Sequence, residues 1–345
     1  MSDSIINVPE GDFEPVSNQK STNENDKRNF LQNLSNKEIA EIFADEDSAF
    51  YKEKNKDKKV NRFLVIPIGF PQAGKSLLFS SLLHYAIKGS SDSSRPSPFT
   101  KPEVEEAKPF SNGSRACDTM VKTFTDRKEL YAANAKNTFD LIGINIKPVK
   151  NHPTLNLAFL DLAGEDIKGI KTSEGGAFTD KINAVFNGLK IDNSPVVFVL
   201  VTPFDPPKLS GETSRNAHDR EDTLHQNFLN YMEVVQSDVL KNAKFFIIVS
   251  QWDKNPDPTL SVESYMRDKR PAVYNFVNNL DVVWGSYSVG KLLETEMVND
   301  RGEKYIDQKI ARINYEYPER FWKKLYQVCT NINLDQKTFW EKLFG

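Results

Sequence analysis

The sequence predicts an α/β domain: a doubly wound, mostly parallel sheet with one antiparallel edge strand and helices on both faces. Three observations predict it. Five short, nearly continuous apolar runs recur along the chain: Phe63 to Ile68, Leu155 to Leu160, Val196 to Val201, Phe245 to Val249 and Val282 to Trp284. Strands that are apolar on both faces suit a sheet covered by helices on both sides. Helical patterns stand between the runs. Leu77 to Ala86 follows the first; Leu224, Phe228, Leu229, Met232 and Val235 precede the fourth; Tyr265, Met266, Val273 and Val277 precede the fifth. Such alternation is the signature of a doubly wound sheet. The third observation breaks the alternation. Phe139 to Val149 passes through the turn-rich Lys150-Asn-His-Pro-Thr154 directly into the next apolar run, and so short a connection forces an antiparallel hairpin at a sheet edge.

In chain order, the first 27 residues hold six members of the hydrophobic set, too little apolar surface to offset ordering entropy, so a disordered tail is expected. Ser35-Asn-Lys-Glu38 is a capping box ahead of Ile39, Ile42 and Phe43, which predicts an amphipathic helix over about 36–50 packed on the domain surface. The charged run Tyr51 to Lys59 reads as a linker, giving a leader over 1–58 and a domain over 60–345. Insertions are expected at about 88–138, 203–220 and 290–315. Within them, Asp126 to Ala135 reads as a capped helix and 291–313 as an added hairpin. Pro318 to Val328 is amphipathic and closes the sheet, and Asp335 to Leu343 adds a further turn or two.

Composition excludes several classes. The chain has 345 residues, is 39% hydrophobic and 27% charged, and has a mean hydropathy of −0.53, the profile of a soluble globular protein with some polar length outside its core. A net charge of −3 gives no global basic field, so nucleic acid is not an expected partner. Cys117 and Cys329 are the two cysteines, which excludes a disulfide framework and fits a reducing compartment. The apolar runs fall well short of the ~20 residues that span a bilayer. The first fifteen residues lack a basic stretch followed by an apolar core, and a cytoplasmic location is expected. His84, His152, His218 and His225 are isolated from one another and read as packing or surface residues rather than metal ligands.

The chemistry is concentrated in Gly69-Phe-Pro-Gln-Ala-Gly74-Lys75-Ser76, directly after one strand and directly before a helix. It fits G-x-x-x-x-G-K-[ST] in the structural context that makes the match credible. Its glycines let successive N–H groups point inward at phosphate oxygens, and the helix N-terminus adds about half a positive charge there. Lys75 then meets the β and γ phosphates and the Ser76 hydroxyl takes a place on Mg²⁺. The strand Leu155 to Leu160 runs into Asp161-Leu-Ala-Gly164-Glu165. A carboxylate there can hold Mg²⁺ through water, and a glycine three residues on can bring its N–H to the γ-phosphate. Lys244 to Ser250, Gln251, Trp252 and Asp253 place an acid just past another buried strand, where it can accept both N1–H and N2–H₂ of guanine. Ser286 and Ser288, in Gly285 to Gly290, follow the last strand and can bring backbone N–H groups to the guanine O6.

Taken together, residues 60 to 330 resemble a P-loop GTPase of the translation-factor-related (TRAFAC) class, with bacterial small-G-protein-like or double-GTPase-type domains as the nearest likeness. The resemblance implies that Gly69, Phe70, Pro71, Gln72, Ala73, Gly74, Lys75, Ser76 and Leu77 bind the phosphates. It implies that Asp161 and Gly164 form the third motif, and that Ser250 to Asp253 stand at the family's N-K-x-D. Here the chain departs from the pattern: Ser250 replaces Asn and Gln251 replaces the Lys whose stem packs on the base. Glu165 stands where many relatives carry a Gln that orients the attacking water. The family's first switch supplies a Thr to Mg²⁺; Thr138 suits it by topology and Thr119 by chemical setting.

The function expected from this resemblance is GTP and GDP binding with slow Mg²⁺-dependent hydrolysis. Loops around 90–138 and 164–180 would order on GTP and present a surface to a protein partner. Two other readings stay open: an ATPase or other P-loop nucleotide enzyme, in which Asp253 is structural, and a nucleotide-dependent scaffold without efficient hydrolysis, which Glu165 and Gln251 favour.

Overall fold

The computed structural model describes residues 30–45, 47–48, 50–52, 61–70, 73–89, 97–126, 139–162, 166–167, 170, 180–192, 195–298 and 304–335. Helices α1 (Asn36–Ala44), α2 (Lys75–Lys88), α3 (Ser111–Asp126), α4 (Asp180–Asp192), α5 (Ser214–Val235), α6 (Ser237–Lys241), α7 (Val262–Lys269), α8 (Pro271–Val277) and α9 (Glu316–Thr330) surround the strands. Strands β1 (Arg62–Ile68), β2 (Glu103–Val104), β3 (Phe139–Ile146), β4 (Leu155–Leu162), β5 (Val196–Pro203), β6 (Lys244–Ser250) and β7 (Val282–Ser286) form one sheet in the order β2-β3-β4-β1-β5-β6-β7. Strands β4, β1, β5, β6 and β7 are mutually parallel. The expected hairpin is present: β3 runs antiparallel to β4 from Phe139↔Leu162 to Ile146↔Leu155. The two-residue β2 extends the antiparallel edge by one more strand.

Alternate side chains of each central strand enter opposite cores. Leu64, Ile66 and Ile68 of β1 with Val196, Phe198 and Leu200 of β5 pack beneath α1, α4, α5, α7 and α8. Val65, Val197, Val199 and Val201 pack on the other face with α2, α3 and α9. This double burial is why the strands read as unbroken apolar runs.

Three expectations change. The helix of the leader, α1, packs its apolar face on the domain as expected but ends at Ala44 rather than near 50, and its Ile39 and Phe43, with the following Phe50, are fully buried in the first core. Its capping box forms, with Ser35 N donating to Glu38 at 2.8 Å and Glu38 N donating back to the Ser35 hydroxyl at 3.3 Å. The boundary near residue 60 therefore divides the sequence but not the fold. Buried Arg62 joins the two parts: its Nε donates to Phe50 O at 2.7 Å and its Nη2 pairs with Glu105 at 3.1 Å.

Second, the 88–138 interval is helical earlier than expected, from Ser111. Helix α3 buries Cys117, Met120, Val121 and Phe124 ahead of the helix expected over Asp126 to Ala135; Asp126 is its last described residue, and 127–138 lie outside the described residues. Third, the polar insertion after β5 is shorter than expected, because the chain is helical again from Ser214, capped by the Thr213 hydroxyl.

The added hairpin, β8 (Gly290–Val298) with β9 (Lys304–Ile313), pairs antiparallel and forms a separate two-stranded sheet. Helix α9 closes the second core, where Trp322 Nε1 donates to Leu82 O at 2.9 Å and Tyr326 donates to Pro153 O at 2.7 Å.

Candidate functional site at the carboxyl edge of the sheet

The loops that carry the sequence motifs leave the carboxyl ends of β1, β4, β6 and β7, the edge where doubly wound sheets place their ligand crevice. The chain leaving β1 passes so close to β5 that a Cβ on Gly69 would lie 2.4 Å from Val201 O, and only glycine fits. At Gly74 the backbone takes φ 85, in the left-handed region, and α2 begins one residue later. Lys75 is buried and curls back beneath the loop, its ammonium donating to Gly69 O at 2.6 Å and Phe70 O at 2.9 Å. Ser76 and Leu77 lie half-buried on the first turn of α2. Pro71 and Gln72 lie outside the described residues.

Asp161 sits on β4 opposite Asp140 of β3 and is 2% exposed. Burial, opposed by Lys75 and reinforced by Asp140, raises its carboxyl to about 7. The phosphate-loop lysine and the D-x-x-G aspartate, 86 positions apart, are therefore electrostatic neighbours. Gly164 and Glu165, with Thr138, lie outside the described residues. Thr119 is exposed on α3, and its hydroxyl donates to Arg115 O at 3.0 Å within the helix.

The segment Ser250 to Asp253, expected to read the base, is joined to the loop after β1 by a side chain. Ser250 Oγ donates to Ala73 O at 2.8 Å, so the residue that stands in place of Asn links the ends of β6 and β1. Gln251 follows with φ 56, and its buried Oε1 has no hydrogen-bond partner among the described residues. Trp252 N donates to Tyr287 O at 3.1 Å and Tyr287 N to Val249 O at 2.9 Å, which fixes the last loop against this segment. Tyr287 also donates to Ser81 Oγ of α2 at 3.0 Å. Asp253 projects from a single 3₁₀ turn, Trp252–Lys254, and is exposed. Ser286 ends β7, while Ser288 is buried and its hydroxyl accepts from Gly290 N at 3.3 Å.

Sequence reasoning missed one wall of the site. Helix α5 lays Arg220 over the Phe70 ring, 5.6 Å from its centroid, and buries Glu221 and His225 beside the same loop. The run His-Asp-Arg-Glu-Asp reads as solvated helix, and nothing in it marks which positions face inward.

No protein-family model and no curated protein matches the sequence. Among solved structures, the chain is similar to the GDP-bound RocCORdC of Roco2 from Methanosarcina barkeri, at 12% identity over 81% of this chain and 52% of that one, with a TM-score of 0.32. It is also similar to Sup35 complexed with GDP, at 13% identity over 70% of this chain and 42% of that one, with a TM-score of 0.27. The chain thus spans about half the length of these structures, or less.

Proposed function

We propose that the chain binds guanine nucleotides at this edge and acts as a nucleotide-controlled switch with slow, Mg²⁺-dependent GTP hydrolysis. The observation that carries the reading is the convergence on one crevice of motifs far apart in sequence. Lys75 is beside Asp161, and Ser250 holds the base-reading segment to the phosphate loop.

In this reading Lys75 exchanges its two carbonyl partners for phosphate oxygens, and the N-terminus of α2 adds its positive end. The Ser76 hydroxyl and the Asp161 carboxylate are hard oxygen donors that suit Mg²⁺. The fit rests on Asp161, a buried carboxyl held up to about 7, whose ionised form needs a cation beside it. When bound, the ion would neutralise charge on the phosphates. Asp253 accepts the guanine N1–H and N2–H₂, Ser286 and Ser288 lie near the O6, and Gln251 covers the base in place of the usual lysine stem. Glu165 is assigned to orienting the attacking water. Thr138, by topology, or Thr119, by chemical setting, is assigned the role of switch ligand. The loops around 90–138 and 164–180 are assigned to contact with a protein partner. Among the described residues no helix is long and apolar enough to cross a membrane.

Calorimetric titration with GTP, GDP and ATP in excess Mg²⁺ tests the reading. GTP and GDP are expected to bind more tightly than ATP, and a preference for ATP would reject the guanine assignment in favour of an ATPase. Binding of GTP without any release of inorganic phosphate over hours would favour the scaffold.

A further inference from the structure

Helix α5 carries a buried acid that the nucleotide reading leaves without a task. Glu221 is 1% exposed, and its Oε2 has no hydrogen-bond partner among the described residues. Its neighbour Arg220 lies over Phe70, which sets this turn of α5 against the phosphate loop. One turn on, His225 is 2% exposed and shares a 2.9 Å hydrogen bond between its Nδ1 and Glu221 O. The same ring feels the backbone carbonyl of Ile68, the last residue before Gly69.

The charged and titratable groups around Glu221 come from four helices. Arg270 stands at the start of α8, Arg220 and His225 lie on α5, Lys75 is on α2, and Tyr265 is on α7. The two guanidinium groups are engaged elsewhere. Arg220 is held by Glu212 at 3.2 Å and Pro207 O at 2.7 Å. Arg270 is held by Thr202 Oγ1 at 3.0 Å and Lys269 O at 2.7 Å. Burial depresses His225 to about 4, so it is neutral near pH 7. Glu221 is therefore buried beside cations, with its Oε2 bonded to none of them among the described residues, and burial raises its carboxyl to about 7 against their pull.

A buried carboxylate in such a place costs several kcal/mol unless positive charge compensates it. Polyphosphate on the other side of Lys75 reverses the balance, because the lysine's charge is then shared with a stronger anion. We propose that Glu221 is a positioning residue for the phosphate loop that exchanges a proton with nucleotide: ionised while Lys75 has no phosphate against it, and protonated once a nucleoside di- or triphosphate fills the loop. The inference rests on the nucleotide reading and deepens it, since it makes phosphate affinity depend on pH. Binding takes up a proton, so affinity falls as pH rises through the nucleotide-free carboxyl's range and levels off above the range of the complex.

The test compares the full-length protein with Glu221→Gln, which keeps shape and removes the charge. GTP in excess Mg²⁺ is titrated at about pH 6 and about pH 8, in buffers of low and high ionisation enthalpy. The ratio of the two proteins' affinities cancels titration of the nucleotide itself. Near pH 6 the two are expected to bind alike; near pH 8 Glu221→Gln binds up to about tenfold more tightly, and the wild type takes up more protons than the variant. Equal proton counts and a constant affinity ratio would overturn the inference and leave the nucleotide reading intact, whereas absence of GTP binding by the wild type at either pH overturns both. A readout that needs no variant is the infrared difference spectrum of the wild type near pH 8. A protonated-carboxyl band gained with GTP supports the inference, and its absence overturns it.

Discussion

The two ends of the crevice are built differently. At the phosphate end, Lys75, Asp161 and Glu221 are buried charged or titratable groups, each perturbing another. At the base end, Asp253 stands on an exposed 3₁₀ turn, and the segment before it is tied down by hydrogen bonds of Ser250 and Trp252 and by the Trp252 ring against Phe204 and Tyr265. The first end is part of the folding core; the second rests on it. Substitutions at the phosphate end should therefore change stability and binding together, and those at the base end should change ligand choice with the fold left alone.

The largest expected effect is that of Lys75→Ala. It removes the only cation that the sequence motif aims at phosphate, and charge-assisted hydrogen bonds of about 1.5–3 kcal/mol each are lost. Affinity for GTP should fall at least about 100-fold by calorimetry; unchanged affinity would reject the phosphate-loop assignment.

That prediction was reachable from the sequence, as was most of the sheet, because parallel strands buried on both faces write themselves as continuous apolar runs and the phosphate loop is a contiguous motif. What the sequence concealed has two physical causes. Strand β2 is two residues long, too short for any period. The inward faces of α3 and α5 depend on what the tertiary fold places beside them. Ala116, Cys117, Met120, Val121 and Phe124 do recur at helical spacing, but polar residues of mixed type stand between them and the strand they pack on is distant in sequence. Glu221 and His225 look no different in sequence from Asp219 and Gln226, which are exposed.

The second effect sharpens the claim about the phosphate end. The Asp161 carboxyl is raised from 3.8 to about 7, so the native protein keeps a proton that the unfolded chain has already released. This group therefore withdraws stability as pH rises from about 4 to about 7, and the loss is complete above that. Asp161→Asn removes the slope. In urea unfolding near pH 8 the variant should be more stable than the wild type, on the order of 2 kcal/mol, with little difference near pH 4. Equal stabilities at the higher pH would show that Lys75 already neutralises the aspartate fully. The same variant should lose the Mg²⁺-dependent part of its GTP affinity.

Asp253→Asn probes the other end. The substitution keeps one acceptor and turns the other into a donor, so guanine loses one of two hydrogen bonds, about a tenfold loss in GTP affinity. Xanthosine triphosphate, with an oxygen where guanine has its amino group, should gain. The melting temperature should not move, because Asp253 is exposed and anchors nothing in the core. A loss of stability would break the contrast between the two ends.

The smallest effect tests whether the base end nonetheless holds strain for its ligand. Gln251 adopts φ 56, a conformation that costs a non-glycine residue roughly 1–2 kcal/mol, and buries Oε1 without a partner among the described residues. Nothing in the core requires either feature. Gln251→Gly relieves both, against a backbone entropy cost of about 0.5–1 kcal/mol, so the net gain is about 1 kcal/mol and a rise of about 2 °C in melting temperature. If the strain is kept for nucleotide, the more stable variant should bind GTP more weakly, because it has lost the side chain that covers the base. Stability and affinity would then move in opposite directions at this position, whereas at Lys75 affinity falls with no such gain. A variant that melts higher and binds equally well would show that Gln251 takes no part in holding the base.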